Sequence, residues 1–324
     1  MTTWTNERFT AVPSFHWTSC AAFDYHRSRK MGLAMRDPVI FIGMHRSGTS
    51  MLGRLLEELG MFFGALKDEN NEALFFQDLN EWLLGQCGGR WDNPAPFNEY
   101  FWRSDEAVKW TELYIRNLLA SPRFIQFLGA RFALRGIGGL SMPWGWKDPR
   151  NTFTLPMWLR IFPNAKVVSI ERNGVDVAQS LRAREIKILE DAPRFYKKNR
   201  VAFFLRPRRS GFVHSPRCLV LDDGFSLWQE YTSQADAAMA QLPAGRSLAL
   251  RYEDVVDNPL KWLGETAVFC GLEVSKTQLE NAVKNIKIDR AKAYEADVEL
   301  TNFAAKRSDA LSARGYSTTG AASE

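Results

Sequence analysis

The chain has 324 residues, of which 45% are hydrophobic and 24% charged, with a net charge of +5 and a pI near 9.0. That balance can fill a core and excludes a disordered chain, and four scattered cysteines without paired spacing exclude a disulfide framework or zinc module. No run of about 18 apolar residues occurs, which excludes a membrane-spanning helix, and the mild positive charge suits an anionic ligand better than it argues for DNA.

Residues 1–36 read as a peripheral extension, with Trp4, Phe9, Phe15 and Trp17 as its apolar anchors. Met1–Arg8 lacks a basic region followed by an apolar core, so no secretory signal is expected, and Cys20, Cys87, Cys218 and Cys270 read as reduced thiols of a cytoplasmic protein. Val39–Ile42 is a short continuous apolar run, as a strand buried on both faces of a parallel sheet requires. Gly43–Ser50 is small and polar with one arginine. Met51, Leu52, Leu55, Leu56 and Leu59 then recur at helical spacing up to Gly60. Strand, glycine-bearing loop and helix together make a phosphate cradle, because loop N–H groups and the helix N-terminus direct partial positive charge at an anion.

Residues 61–96 predict a loop and then a helix ending near Gly85, and 104–135 predict a further helical stretch. Trp144-Gly-Trp-Lys-Asp-Pro-Arg150 predicts a short strand ending at Lys147-Asp148, since proline at 149 moves Asp148 out of helical geometry. A helix over 152–162 follows, then a strand at Lys166–Ile170. Arg172–Ser180 turns from that strand into a helix capped by Asn173. A helix over 223–242, a strand at Ser247–Tyr252 and a helix opened by Asn258-Pro259 and ended near Gly271 complete the pattern. Strands alternating with helices specify an α/β fold, a P-loop-like central parallel sheet flanked by helices on both faces. The tail 317–324 is expected to be disordered.

Gly43 and Gly48 have the spacing of the nucleotide-triphosphate motif, but Thr49 stands where its lysine belongs and the cation has moved to Arg46. No acidic partner for magnesium closes the strand from Lys166. A smaller phosphate or a phosphosulfate fits better than a triphosphate. Gly43-Met-His-Arg-Ser-Gly-Thr-Ser50 resembles the 5′-phosphosulfate loop of sulfotransferases that use 3′-phosphoadenosine 5′-phosphosulfate (PAPS). Arg172-Asn-Gly-Val-Asp-Val-Ala-Gln-Ser180 resembles their 3′-phosphate motif, and Arg251-Tyr-Glu-Asp-Val-Val-Asp-Asn-Pro259 is similar to a third block of bacterial members. The blocks run from residue 38 to about 265 in the family's order.

The resemblance implies a sulfotransferase domain over 37–316 that moves a sulfuryl group in line from PAPS to an acceptor hydroxyl or amine and releases 3′-phosphoadenosine 5′-phosphate (PAP). It implies that Arg46, Ser47, Gly48, Thr49 and Ser50 hold the 5′ end, that Arg172 and Ser180 hold the 3′-phosphate, and that Arg184 and Tyr252 match further nucleotide positions of tyrosylprotein sulfotransferases. Lys147 resembles the catalytic lysine of a Lys-Asp-Pro block there and, with Arg46, is the candidate for stabilising charge on the leaving phosphate. Glu72, 26 residues after Arg46 as in heparan-type relatives, is the candidate base, with Glu69 as alternative; Gln77 departs from a Glu that many bacterial relatives carry. The implied partner is a small-molecule or carbohydrate acceptor, with no nucleic acid and no metal expected.

Other residues admit plainer roles. His45 is expected to pack locally and Asp148 to pair with Arg150, while Glu253 and Asp254 could hold a metal only with a partner that the sequence does not supply. Trp144-Gly-Trp146 is either core or acceptor lining. Between Arg194 and Arg217 stand eight Lys or Arg and no Asp or Glu, with Phe195, Tyr196, Phe203, Phe204 and Phe212 among them. This marks 185–225 as a basic insertion or lid, able to attract the nucleotide, an anionic acceptor or a peripheral membrane surface. A P-loop kinase, and a nucleic-acid binder using this patch, are the alternative readings.

Overall fold

The computed structural model describes residues 36–130, 140–206, 208, 211–284, 286 and 291–317. The extension up to residue 35, including Cys20, and the tail from 318 lie outside them. Four strands form one sheet: β1 (Val39–Ile42), β2 (Gly145–Lys147), β3 (Lys166–Glu171) and β4 (Ser247–Arg251). All neighbours are parallel, in the order β2-β1-β3-β4. The central strand β1 is wholly buried because both of its faces are covered. Ile40 and Ile42 enter one apolar cluster, Val39 and Phe41 the other.

The helices divide between those clusters. α1 (Thr49–Glu58) sends Leu52, Leu55 and Leu56 to the Phe41 face. α2 (Leu74–Gly85), α3 (Asp105–Ala120) and α4 (Asn151–Ile161) pack on the Ile40 face. α5 (Gly174–Leu205) and α6 (Leu221–Ala240) join them there. α7 (Tyr252–Asp257) and α8 (Pro259–Cys270) return to the Phe41 face, where Ala282 of α9 (Lys276–Val283) adds to the cluster. α10 (Val298–Lys306) closes the Ile40 side. The chain thus leaves β1 toward one face and β3 toward the other, which opens a crevice at the carboxyl ends of these adjacent strands, where α/β sheets bind ligands.

Asn173 caps α5 by accepting from Val175 N at 2.9 Å, and Asn258 caps α8 ahead of Pro259, as the sequence predicts. One expectation changes and one open choice is decided. The stretch 104–135 is no single helix, because α3 stops at Ala120 where Ser121-Pro122 cannot continue it; 131–139 lie outside the described residues. Trp144 and Trp146 are fully buried, and Trp146 stacks on Phe76 at 3.9 Å, so this pair is core. The segment 185–225 spans parts of two helices and the chain between them. It opens as the end of α5, which runs 32 residues without a break despite Pro193, and it closes as the first turn of α6. Cys218 and Cys270 are buried free thiols, and Cys87 is half-buried.

Candidate active site

The loop after β1 is shaped by backbone that few residues tolerate. Gly43 (φ 130°) and Gly48 (φ 97°) lie in the positive region, and a Cβ would stand 2.4 Å from Ile170 O at the first and 2.4 Å from the Tyr252 ring at the second. Arg46 also has positive φ, 71°, a costly state for a residue with a Cβ and one that clusters at functional sites. Gly43 N donates to Thr152 Oγ1 of α4 at 3.0 Å, and buried Ser47 turns its hydroxyl to Met44 O at 2.6 Å. Ser47 therefore shapes the loop from within, Thr49 is buried in the first turn of α1, and Ser50 faces the lysine of β2.

Arg46 and Arg172 belong to one cluster. Arg46 Nε donates to Ser180 Oγ at 2.8 Å, and Arg172 Nη1 reaches Arg46 O at 3.4 Å. The Arg172 guanidinium is oriented by Asp176, 3.1 Å away one helical turn on, and lies 4.9 Å from the centre of the Tyr252 ring that packs on Gly48. Glu253 accepts Asn173 N at 2.9 Å and ties α7 to the start of α5; burial pushes its carboxyl above the ordinary range. Arg184 sits one turn beyond Ser180, with its guanidinium 5.0 Å above Trp91 and 2.7 Å from Glu185. The two anion motifs of the sequence thus meet at the carboxyl ends of β1 and β3.

A second cluster flanks the loop on the β2 side. Lys147 ends β2 opposite Phe41, and its buried Nζ donates to Asn70 O at 2.6 Å, Ser50 Oγ at 3.1 Å and Glu72 Oε1 at 3.1 Å. The other Glu72 oxygen accepts from Gln77 Nε2 at 3.1 Å and Arg150 Nη1 at 3.4 Å. Burial first, then the charge of Asp148, pushes the Glu72 carboxyl up to about 7 against the pull of Lys147 and Arg150. Glu69 by contrast is exposed. Gln77 serves here as a neutral donor to Glu72 and to Asp68. Asp148 accepts from Arg150 at 3.1 Å and from Asn80 at 2.8 Å.

Arg150 and Asn80 were not singled out as site residues in the sequence. Arg150 links Glu72, Asp148 and Glu81, and a cation three residues past Lys147 was its only signal. Asn80 is a lone amide on an apolar helix face, buried and bonded to Asp148, Asn151, Thr154 and Trp158. His45 packs on Trp91 at 4.7 Å; desolvation, with Arg150, Arg184, Lys147 and Arg46 nearby, pushes its pKa well down. Beside Arg150 opens a cavity of about 670 Å³ lined by Glu81, Leu84, Arg90, Trp91 and His214 among others. Among the described residues no group of three or more His, Cys, Asp or Glu could hold a metal ion.

A parallel α/β sheet with a glycine-shaped loop at its carboxyl edge defines a P-loop-like protein. The profile of the Sulfotransferase family matches residues 38–276, and the chain belongs to that family. No curated protein sequence matches at a significant level. Among solved structures, a sulfotransferase from Alicyclobacillus acidocaldarius is 19% identical over 86% of this chain and 95% of its own, with a TM-score of 0.45. The sulfotransferase domain from the curacin biosynthetic pathway is 13% identical over 84% and 97%, with a TM-score of 0.46. Sulfotransferase STF1 from Mycobacterium tuberculosis H37Rv is 16% identical over 83% and 78%, with a TM-score of 0.44.

Proposed function

We propose that this sulfotransferase takes its sulfuryl group from PAPS and passes it to a hydroxyl or amine of a small-molecule or carbohydrate acceptor. The observation that carries the reading is the bond from Arg46, in the 5′ motif, to Ser180, in the 3′ motif. A donor with phosphate at both ends needs two cationic turns within one nucleoside's reach, and this contact brings the two turns together. Arg46, Gly48 and the start of α1 would hold the phosphosulfate, and Arg172, Ser180 and Arg184 the 3′-phosphate, with Tyr252 beside the nucleoside.

In the transfer, the acceptor oxygen forms its bond to sulfur as the sulfur breaks from the bridging phosphate oxygen. The Glu72 carboxylate takes the acceptor proton, and the Lys147 ammonium, held between Ser50 and Glu72, offsets the charge left on the departing oxygen. Arg46 points toward Ser180, which favours Lys147 for that task. The cavity beside Arg150 would seat the acceptor.

Calorimetric titration with PAP in the absence of magnesium tests the donor. Binding of PAP in preference to ATP–Mg²⁺, followed by transfer of label from PAPS in an acceptor screen, is the expected result. Preference for ATP–Mg²⁺ would return the chain to the kinase reading.

A further inference from the structure

The last twenty residues of α5 do not pack like the rest of the molecule. Val175, Val177, Ala178, Leu181 and Glu185 are buried, but from Ile186 to Leu205 no residue is. At 1.5 Å per residue this is about 30 Å of helix whose length no core stabilises. Most helical stability in proteins comes from packing an apolar face, and here Phe195, Tyr196 and Phe203 meet Arg208 and Phe212 of the returning chain rather than the core.

Such a face exists here. Ile186, Leu189, Tyr196 and Phe203 recur at steps of three and seven and share one stripe with Phe204. Phe204 is 90% exposed, Leu205 73% and Val201 67%. Arg194, Lys197 and Lys198 line the flank of the stripe and Arg200 sits within it. The returning chain is tied to the helix by Arg208, whose guanidinium lies 4.7 Å from the Phe195 ring and 4.8 Å from that of Phe212. His214 and Ser215 then donate their backbone N–H groups to buried Glu185. Arg208, Gly211, Val213 and His214 of the returning chain also line the cavity beside Arg150.

We infer that this arm docks on an anionic lipid bilayer, laying its Phe, Leu and Ile side chains among the acyl chains and its Lys and Arg side chains among the headgroups. Charge selects the occupant. Within the arm Lys187, Arg194, Lys197, Lys198 and Arg200 outnumber Glu190 and Asp191, and the stretch 194–217 adds further cations without an acid, so a second copy of the same arm would be repelled. A nucleic acid could stack on exposed Tyr196 and Phe204 but would leave Ile186, Leu189, Val201 and Leu205 without a partner, whereas a bilayer takes up the aromatic, aliphatic and cationic side chains together. Docking would bring the returning chain that lines the cavity close to an acceptor resident in or near the membrane.

Co-sedimentation of the full-length protein with vesicles tests this. Binding to phosphatidylcholine vesicles that contain phosphatidylglycerol, and weak binding to phosphatidylcholine alone, is expected. Lys197→Ala with Arg200→Ala should weaken binding about 25-fold, taking each cation near an anionic surface as a factor of about five. Phe204→Ser with Leu205→Ser should weaken it at least about tenfold and leave a residual, fully salt-sensitive attachment. Neither pair is buried, so the melting temperature should not fall.

Failure to sediment with the anionic vesicles overturns the inference. So does equal binding by the Phe204/Leu205 variant together with release by single-stranded RNA, which would assign the arm to nucleic acid. Self-association abolished by the same variant, without vesicle binding, would assign it to a second copy. None of these outcomes bears on PAP binding, so the donor reading stands or falls separately.

Discussion

Lys147 Nζ and Glu72 Oε1 lie 3.1 Å apart, from segments 75 residues apart in the chain, and both side chains are almost wholly removed from water. Such a pair is tense, since each charge was stripped of its hydration for the other, and losing one partner leaves a buried charge behind. Glu72→Gln should lower kcat by about 10²–10⁴-fold, the range for a lost general base, and leave PAP affinity nearly unchanged. Exposed Glu69, changed to Gln, should leave turnover within about twofold of wild type. Steady-state kinetics on the two variants checks the assignment, and unchanged turnover in Glu72→Gln removes it. Lys147→Met should cost about 10²–10³-fold in kcat, as loss of one preorganised charge does.

The position of the Glu72 carboxyl, raised to about 7, fixes the direction of a pH dependence. A base must be unprotonated, so kcat/KM for the donor should fall as pH drops through about 7, with a slope of one proton. The same shift has an opposite sign in stability. The folded protein holds a proton on Glu72 that the unfolded chain, near 4.5, has lost, so this group's contribution to stability declines as pH rises from about 4.5 to about 7. The pH–rate profile of Glu72→Gln, if its residual rate is measurable, should lack the acid limb.

Arg172→Ala removes a charge-assisted contact of about 1.5–3 kcal/mol and should weaken PAP binding by roughly 10- to 150-fold. It also strands the buried Asp176 carboxylate that Arg172 accompanies, so the melting temperature should fall by several degrees. Arg172→Lys keeps the charge but loses the guanidinium fork, and should recover stability more than affinity. Calorimetry and thermal melting on the pair separate the two roles.

Gly48→Ala sets a methyl group against the Tyr252 ring at a backbone angle that disfavours any side chain. Strain of about 1–3 kcal/mol is expected, with the loop or the ring displaced. Because Tyr252 also carries the Arg172 guanidinium, PAP affinity should fall although no group that binds an anion has been removed. Normal affinity in this variant would show that the ring moves without cost.

The strands, the loop and most helix starts were legible because their signals are local: an apolar run, a change of period, an asparagine before glycine or proline. The pairing of Glu72 with Lys147 was not local. Lys147 arrives through the register that sets it beside Phe41, and Glu72 through the loop ahead of α2, so only a resemblance could name them together. Arg150 and Asn80 escaped for the same reason. The far half of α5 was not legible as helix for a different reason: a helix without a buried face has no apolar period continuous with the part that precedes it, and its cations suggested an insertion or lid.

Tyr252 against Gly48, and Glu253 on Asn173, are the contacts by which the last strand and its helix complete the proposed donor site. During synthesis the loop emerges some two hundred residues before them. Until Tyr252 and Glu253 leave the ribosome, a nascent chain carries both arginines but not the surfaces that hold them in place. Under the proposed donor reading, a nucleotide would meet its complete site only after nearly all of the sheet has been made.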